Sequence, residues 1–183
     1  MSIHSGNNKI KDLYLGSTKI KTGFLGAIKI FASGLTYIVN LNNQWIETTE
    51  YNFGSEYRVF KSNSNYNVNN STASMFLQSI ENKNEDLIVK YYASSEPNYD
   101  KLYIESSTNN GSSYTTNATD NGTNNTSAPA ALSNYKTYTY TISALSSITN
   151  LRFRYAKDRS THRALDRGFI VLPSKCIRGV ISA

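Results

Sequence analysis

The sequence predicts an all-β protein, with a short N-terminal β-meander or hairpin repeat followed by an antiparallel β-sandwich of jelly-roll type. Tyr, Phe, Ser, Thr and Asn are abundant, and aromatic and β-branched residues suit a half-buried pleated surface while small polar residues suit turns. Short apolar runs alternate with polar residues, and no long run has the 3.6-residue apolar period of a helix. A ten-residue repeat opens the chain.

The repeat predicts a small β arm over residues 1–34. Residues 10–19 read IKDLYLGSTK and residues 20–29 read IKTGFLGAIK. A glycine at the same place in each unit suits a turn with positive φ, and the residues between the glycines suit short strands. Because a pair of strands is marginal in water, the arm must pack on a neighbour, either the chain's own sandwich or a partner. The expected contact residues are the apolar ones, Ile10, Leu13, Tyr14, Leu15, Ile20, Phe24, Leu25 and Ile30.

The sandwich is predicted over residues 35–183, after the joint Ala32-Ser33-Gly34. Its expected strands are short and separated by polar turns, as in sandwiches and jelly rolls. They cover residues 35–41, 57–60, 74–80, 86–92, 101–105, 136–142, 151–155 and 168–172. In residues 138–142 and 151–155 every second residue is expected to face a common core, and Trp45 is expected in or beside that core.

A long polar loop is predicted around residues 106–133. This stretch is dominated by Ser, Thr, Asn and Gly and contains Asn-Gly at 110–111 and at 121–122. Asn-Gly pairs favour tight turns, so one or two turns or a hairpin are expected inside it. Its apolar content is too small to build core, and we therefore expect it to be exposed and available for contacts.

Charge and cysteine content narrow the function classes. The formal net charge is +6, and residues 1–34 hold five lysines and one aspartate. These lysines alternate with apolar residues, as on a solvated strand face, and do not form the concentrated basic groove of a nucleic-acid module. The single cysteine, Cys176, excludes an intramolecular disulfide. Neither a signal peptide nor a run of about 20 apolar residues is found, which predicts synthesis in a cytoplasm without membrane insertion.

Catalytic signatures are scarce, so no catalytic residue and no cofactor are expected. Two histidines and one cysteine do not supply the usual zinc sets, and the phosphate-binding, dinucleotide and serine-hydrolase motifs are absent. A pair of carboxylates could serve glycoside hydrolysis, but the sequence does not place two of them across a cleft.

Two turn-like segments are candidates for a ligand site. Residues 94–100 and 155–160 each follow a predicted strand, and Asp166 comes soon after the second. If these ends meet, Glu96, Asp100, Asp158 and Asp166 would offer the oxygen ligands that calcium prefers. The same carboxylates suit turn caps or salt bridges with nearby Lys and Arg, and this structural interpretation is favoured because no Asp-x-Asp-x-Asp spacing is present.

Exposed tyrosines offer a second type of binding chemistry. Tyr66, Tyr99 and Tyr114 lie in loop-like contexts, where a ring could stack on a sugar. A tyrosine is equally suited to a protein interface, since one side of it is apolar and its hydroxyl is polar.

The repeat at residues 10–31 resembles a segment near the start of tail, fibre or head-associated proteins of tailed bacteriophages, with units of the type Ile-Lys-x-Leu-Tyr-Leu-Gly-Ser-Thr-Lys. The later stretches 95–100 and 155–160 resemble a Ser-Glu-x-x-Tyr-Asp and a Tyr-x-Lys-Asp-x-Ser stretch in jelly-roll domains of phage and bacterial surface proteins. Those relatives usually have a glycine before the later aspartate, where this chain has Ala164-Leu165 before Asp166.

The resemblance implies a non-enzymatic minor structural protein of a phage virion, anchored by residues 1–34 and present in many copies beside other virion proteins. The alternative expectation is a carbohydrate-binding adhesion module that recognises a bacterial surface glycan, and a glycan-degrading enzyme comes third.

Overall fold

The computed structural model describes strands within residues 3–32 and then residues 37–63, 68–79, 85–159 and 165–178. Side chains are described for residues 37–63, 68–78, 85–159 and 165–176. Backbone contacts divide the chain into two compact units, residues 1–35 and residues 36–183. The boundary lies one residue beyond the end of the predicted arm.

The described strands of the first unit form three antiparallel hairpins. They pair β1 (Ile3–Ser5) with β2 (Asn8–Ile10), β3 (Tyr14–Leu15) with β4 (Thr18–Lys19), and β5 (Thr22–Leu25) with β6 (Ile28–Ala32). The predicted short strands of the repeat are therefore confirmed.

The hairpin of β1 and β2 was not predicted, although a signal for it exists. Gly6 stands ten residues before Gly16, and Lys9-Ile10 stands ten residues before Lys19-Ile20. The repeat thus has a third, degenerate unit at its start. Of the predicted contact residues, Leu13 and Ile20 lie outside the described residues, as do the side chains of Ile10, Tyr14, Leu15, Phe24, Leu25 and Ile30.

The second unit is a two-sheet sandwich. Its strands are β7 (Tyr37–Asn40), β8 (Trp45–Thr48), β9 (Tyr57–Ser62), β10 (Ser71–Ser79), β11 (Leu87–Ser94), β12 (Lys101–Ser107), β13 (Thr115–Asp120), β14 (Lys136–Tyr140), β15 (Asn150–Lys157), β16 (Arg167–Pro173) and β17 (Cys176–Arg178). One sheet has the order β13-β12-β15-β10-β7-β17 and the other β14-β11-β16-β9-β8. All neighbours are antiparallel except β17 and β7.

The strand pairing is that of a jelly roll. β9 pairs with β16, β10 with β15, β11 with β14 and β12 with β13, so the pairs are nested around the turn between β12 and β13. Successive pairs lie alternately in the two sheets, which is how a long antiparallel ribbon rolls into a sandwich. The all-β fold class and the predicted antiparallel β-sandwich are confirmed.

The main core lies between the two sheets. Its side chains are less than a tenth exposed and come from alternate positions of the strands. In β15, for example, Leu151, Phe153 and Tyr155 point inward while Arg152 and Arg154 are partly exposed. Trp45 is 1% exposed and belongs to this core, as predicted.

A second apolar cluster covers the outer face of the five-stranded sheet. Val59, Phe169 and Val171 of that sheet pack with Ala128 and Tyr135 of the segment before β14. The predicted exposed loop at residues 106–133 therefore differs from the structure, because it contains β13 and then a stretch that packs on this face. The apolar anchors Ala128, Leu132 and Tyr135 are too widely spaced to form a periodic signal.

The predicted strand 136–142 was wrong at its end. Ile142 begins a short helix, α1 (Ile142–Ser147), and its side chain is 45% exposed, so it does not face the core. Thr141 is the N-cap and its hydroxyl accepts a hydrogen bond from the Ala144 N–H, which starts a helix in preference to a strand. The helices in the part of the chain that the structure describes are too short or too polar to cross a bilayer.

Two glycines with positive φ provide a test of the packing at the end of the sandwich. A Cβ on Gly122 (φ +83°) would lie 2.6 Å from the Ser95 hydroxyl and 2.8 Å from the Glu96 carbonyl oxygen, whereas a Cβ on Gly54 (φ +96°) meets nothing within 4 Å. We expect Gly54→Ala to lower the free energy of unfolding by about 1 kcal/mol, the cost of the left-handed backbone alone. We expect Gly122→Ala to lower it by about 3 kcal/mol, because a backbone clash is added.

Urea titration of both variants measures the two values. Equal losses would contradict the close approach of Gly122 to the 95–96 backbone.

Candidate functional site

The predicted ligand segment 94–100 forms the turn between β11 and β12. The Asn98 N–H donates to the carbonyl of Asn121 at 2.6 Å, and the Ser95 N–H donates to the carbonyl of Thr123 at 3.0 Å. The turn is thus fixed to the segment that follows β13. Tyr99 is 62% exposed at its tip, and Glu96 beside it is partly exposed.

Asp100 and Asp166 are brought together, but inside the protein. Asp100 is fully buried and Asp166 is 1% exposed. The ammonium of Lys157, at the end of β15, lies 2.6 Å from Asp166 Oδ2 and 3.5 Å from Asp100 Oδ2. The Tyr155 hydroxyl donates to Asp166 Oδ1 at 3.2 Å. We call these four residues the acid–lysine cluster.

The backbone completes the hydrogen bonding of the cluster. The Asp158 N–H donates to Asp100 Oδ1 at 2.9 Å, and Asp166 adopts φ +56°, a conformation that aspartate tolerates better than most residues. Asp158 itself is partly exposed. The predicted site residues are therefore split between a buried set, Asp100 and Asp166, and a surface set, Glu96, Tyr99 and Asp158.

The electrostatics of the cluster follow from its burial. Desolvation, together with a hydrogen bond that protonated Asp100 donates to the neighbouring carboxyl of Asp166, raises the pKa of Asp100, although the Asp158 N–H and Lys157 act in the opposite direction. Burial also raises the pKa of the Tyr155 hydroxyl far above its ordinary value. A buried charge is tolerated only when it is paired and hydrogen bonded, and each group of the cluster meets that condition.

Calcium gains no support from this geometry and stays a prediction. Among the described residues, no group of three His, Cys, Asp or Glu side chains is close enough to hold a metal ion. The Lys157 ammonium contacts both buried carboxylates and occupies the position that a cation would need.

The outer face of the six-stranded sheet carries a second group of interacting side chains, which was not predicted from the sequence. The guanidinium of Arg152 lies 4.0 Å above the Tyr114 ring, and that of Arg154 lies 4.0 Å above the Tyr103 ring. Arginine above an aromatic ring is an attractive cation–π arrangement. We call this surface the arginine–aromatic face, and its residues are Phe76, Tyr103, Glu105, Tyr114, Arg152 and Arg154.

Strand register explains why these side chains meet. Arg152 stands opposite Glu105 on one side and Phe76 on the other, and Arg154 stands opposite Tyr103. Directly paired residues of antiparallel strands share one face of the sheet. The sequence Leu-Arg-Phe-Arg-Tyr contains a signal for this face. Its apolar residues were predicted to face the core, and its two arginines therefore had to point to the opposite face of the sheet.

Glu105 organises the two arginines. Its carboxylate is 3% exposed, and accepts from Arg152 Nε at 2.6 Å and from Arg154 Nη2 at 2.8 Å. Burial alone would raise the pKa of Glu105, but the hydrogen bonds and positive charges of Arg154 and Arg152 outweigh it and the pKa is lowered. The arginine side chains are about one quarter exposed, so the face presents positive charge to the surroundings.

A groove lies beside the five-stranded sheet. It has a volume of about 560 Å³ and is lined by both acidic and basic residues around Ile88, which is 46% exposed. Within it Lys175 pairs with Glu85 at 2.6 Å. Its charges of both signs are already paired in part, so it gives a weaker indication of a ligand than the arginine–aromatic face.

Cys176 is not a reactive centre. The thiol is fully buried, and burial raises its pKa to about 12. The thiolate, which is the nucleophilic form, is therefore suppressed at neutral pH.

Comparison with protein-family models, with curated proteins and with solved structures finds no match to this chain. Function must therefore be argued from the geometry.

Glu105→Gln tests the arginine–aromatic face. We expect the free energy of unfolding at pH 7 to fall by about 2 kcal/mol, because two charge-assisted hydrogen bonds weaken while the arginines keep part of their hydration. Since the folded-state pKa of Glu105 is lowered, its stabilising effect is present above the ordinary value of 4.5 and is lost as the pH falls through the folded value. The difference between variant and wild type should therefore be smaller at about pH 3 than at pH 7.

Urea unfolding at both pH values measures this difference. Glu50→Gln is the matched control, because Glu50 also pairs with a lysine but is 60% exposed, and we expect a loss below about 0.5 kcal/mol. A Glu105→Gln effect as small as that of the control would contradict the role of the buried carboxylate.

Proposed function

We propose that this chain is a non-enzymatic structural protein of a tailed bacteriophage particle, as a head- or tail-associated decoration, fibre or adaptor component. Residues 1–34 anchor it to other virion proteins, and the jelly roll is displayed for assembly or host attachment. The protein is made in the cytoplasm of the host bacterium and acts in the virion.

The observation that carries this proposal is the division of the chain into two unlike units. The second unit has a core of its own, built from side chains between residues 37 and 176. The first consists of two-stranded hairpins, each too small to be stable alone. Hairpins that repeat an apolar pattern suit a docking element, and the repeat resembles the segment found near the start of phage structural proteins.

The arginine–aromatic face supports an assembly role for the jelly roll. Arginine and tyrosine are enriched at the centres of protein interfaces, where their flat groups bury a large area at a low entropic cost. The face is already ordered by Glu105 in the single chain. Neighbouring copies or other virion proteins are the partners that this surface fits, and a homo-oligomer is expected.

The second candidate is a carbohydrate-binding adhesion module, and Tyr99 favours it. Its ring is 62% exposed on a turn that is fixed by backbone hydrogen bonds, with the carboxylate-bearing Glu96 three residues earlier. A rigid exposed ring beside a polar group suits stacking on a sugar of a bacterial surface glycan.

Deletion of residues 1–34 tests the anchor. We expect the remaining jelly roll to be soluble and folded, because it has a core of its own between residues 37 and 176, but to be missing from purified particles. Circular dichroism checks folding, and mass spectrometry of particles made with the truncated protein measures incorporation. Normal incorporation of the truncated protein would contradict the anchor.

A matched pair of tyrosine variants tests the adhesion candidate. If the module binds glycan through its turn, Tyr99→Ala should weaken binding to a glycan array and to host cells at least about tenfold, the loss of one stacking contact. Tyr103→Ala, on the arginine–aromatic face, should leave binding unchanged. Equal binding by wild type and Tyr99→Ala, or no binding by wild type at high concentration, would remove this candidate.

A further inference from the structure

The acid–lysine cluster contains the components of a condensation reaction. The Lys157 side chain is completely inaccessible to solvent, and so is that of Asp100. An amine and a carboxyl that are held together in the absence of bulk water are protected from the hydration that normally opposes amide formation. Enclosure of two reactants in contact also removes most of the entropic barrier to their reaction.

Each group of the cluster is placed for a distinct part of that reaction. The Lys157 nitrogen lies 3.5 Å from Asp100 Oδ2, in contact with the carboxyl group that it would attack. The other oxygen, Asp100 Oδ1, accepts the backbone N–H of Asp158 at 2.9 Å, so a donor is already aimed at the oxygen on which negative charge would develop. Asp166 Oδ2 lies 2.6 Å from the lysine nitrogen, within reach of its proton.

The two carboxyls are differentiated by their surroundings. Burial raises the pKa of Asp100, and its hydrogen bond to Asp166 raises it further, so Asp100 holds a proton to a higher pH than an exposed aspartate does. A protonated carboxyl is the electrophilic form. Asp166 accepts a hydrogen bond from the Tyr155 hydroxyl at Oδ1, and its Oδ2 lies 2.6 Å from the Lys157 nitrogen.

We propose that Lys157 and Asp100 form an intramolecular isopeptide bond, with Asp166 as the group that accepts and returns the proton. Asp166 takes a proton from the lysine ammonium, and the free amine attacks the carboxyl carbon of protonated Asp100. The Asp158 N–H stabilises the oxygen of the tetrahedral intermediate. Asp166 then protonates the departing hydroxyl, which leaves as water, and takes the remaining proton from the nitrogen.

The atoms and charges of this reaction balance without a further reactant. An ammonium, a carboxylate and a protonated carboxyl become a neutral amide, a protonated Asp166 and one water molecule. No oxidant, reductant or activated donor is required. The product replaces a buried pair of charges by a neutral amide, which removes the desolvation penalty of the cluster.

The bond would join two neighbouring strands across the domain. Asp100 immediately precedes β12 and Lys157 ends β15, and these strands are paired in register next to both residues. The two linked residues are 57 positions apart in the sequence. A covalent link of this length restricts the unfolded chain in the way that a disulfide does, and it needs no oxidising compartment.

The intact mass of the folded full-length protein is the primary test. We expect the denatured chain to weigh one water less than its sequence requires, and trypsin to release a branched peptide that joins residues 91–101 to residues 155–159. Lys157→Arg should have its full calculated mass, because a guanidinium is not a nucleophile. Lys136→Arg, which changes the partly exposed partner of buried Asp120, should keep the loss of water.

The variant Asp100→Asn tests whether residue 100 is the electrophile, because it predicts a different leaving group and not merely the absence of the bond. Attack on Asp100→Asn would expel ammonia, so this variant should weigh one ammonia less than its sequence requires. Asp166→Asn lacks the proton acceptor and should keep its full mass while it remains folded. Loss of water from Asp100→Asn would mean that Lys157 is joined to Asp166 instead and would overturn the assignment. Full mass for folded wild type after prolonged incubation would overturn the isopeptide bond itself.

Discussion

The structure depends at one end on the burial of a single ammonium group. Lys157 has no access to solvent, and a lysine in that position is stable only if carboxylates meet it there. One carboxylate is delivered by the turn before β12 and the other by the residue before β16. The six-stranded sheet supplies the lysine, and the segment leading into the five-stranded sheet supplies Asp166. The cluster therefore fixes the two sheets relative to each other where three chain segments converge.

The surroundings of the cluster follow from this requirement. Asp100 reaches Lys157 only because the 94–100 turn is held by backbone hydrogen bonds to residues 121 and 123. That contact is close enough to demand a glycine at position 122. The same turn carries Tyr99 outward on a rigid support. The same turn thus places Tyr99 on the surface and Asp100 in the buried cluster.

The two sheets differ in what covers their outer faces. The outer face of the five-stranded sheet is packed by the chain itself, through the segment around Ala128 and Tyr135. The outer face of the six-stranded sheet presents arginines ordered by a buried glutamate. One outer face of the domain is therefore covered by its own chain, and the other presents ordered arginine and tyrosine side chains. Such a domain is suited to side-by-side assembly or attachment, which is the role proposed for the jelly roll.

Much of the fold could be predicted from the local alternation of apolar and polar residues, whereas the candidate sites depend on which strands and sheets lie next to each other. Each of the eight predicted strands corresponds to a strand of the structure, because inward residues such as Leu151, Phe153 and Tyr155 alternate visibly with polar ones. β13 was missed because an edge strand of Thr and Asn has little apolar content. The stacking of Arg154 on Tyr103 depends on the pairing of β12 with β15, and the burial of Lys157 beside Asp166 depends on the packing of one sheet against the other. Residue types and spacing along the chain could not reveal either arrangement.

A crystal structure of the full chain tests most directly whether Lys157 lies buried between two carboxyl groups. We predict that its side-chain nitrogen is enclosed with Asp100 and Asp166, without water between them, and that the electron density is continuous from this nitrogen to the Asp100 carboxyl carbon. A Lys157 side chain extended into solvent, or a hydrated metal ion between the two aspartates, would contradict this arrangement.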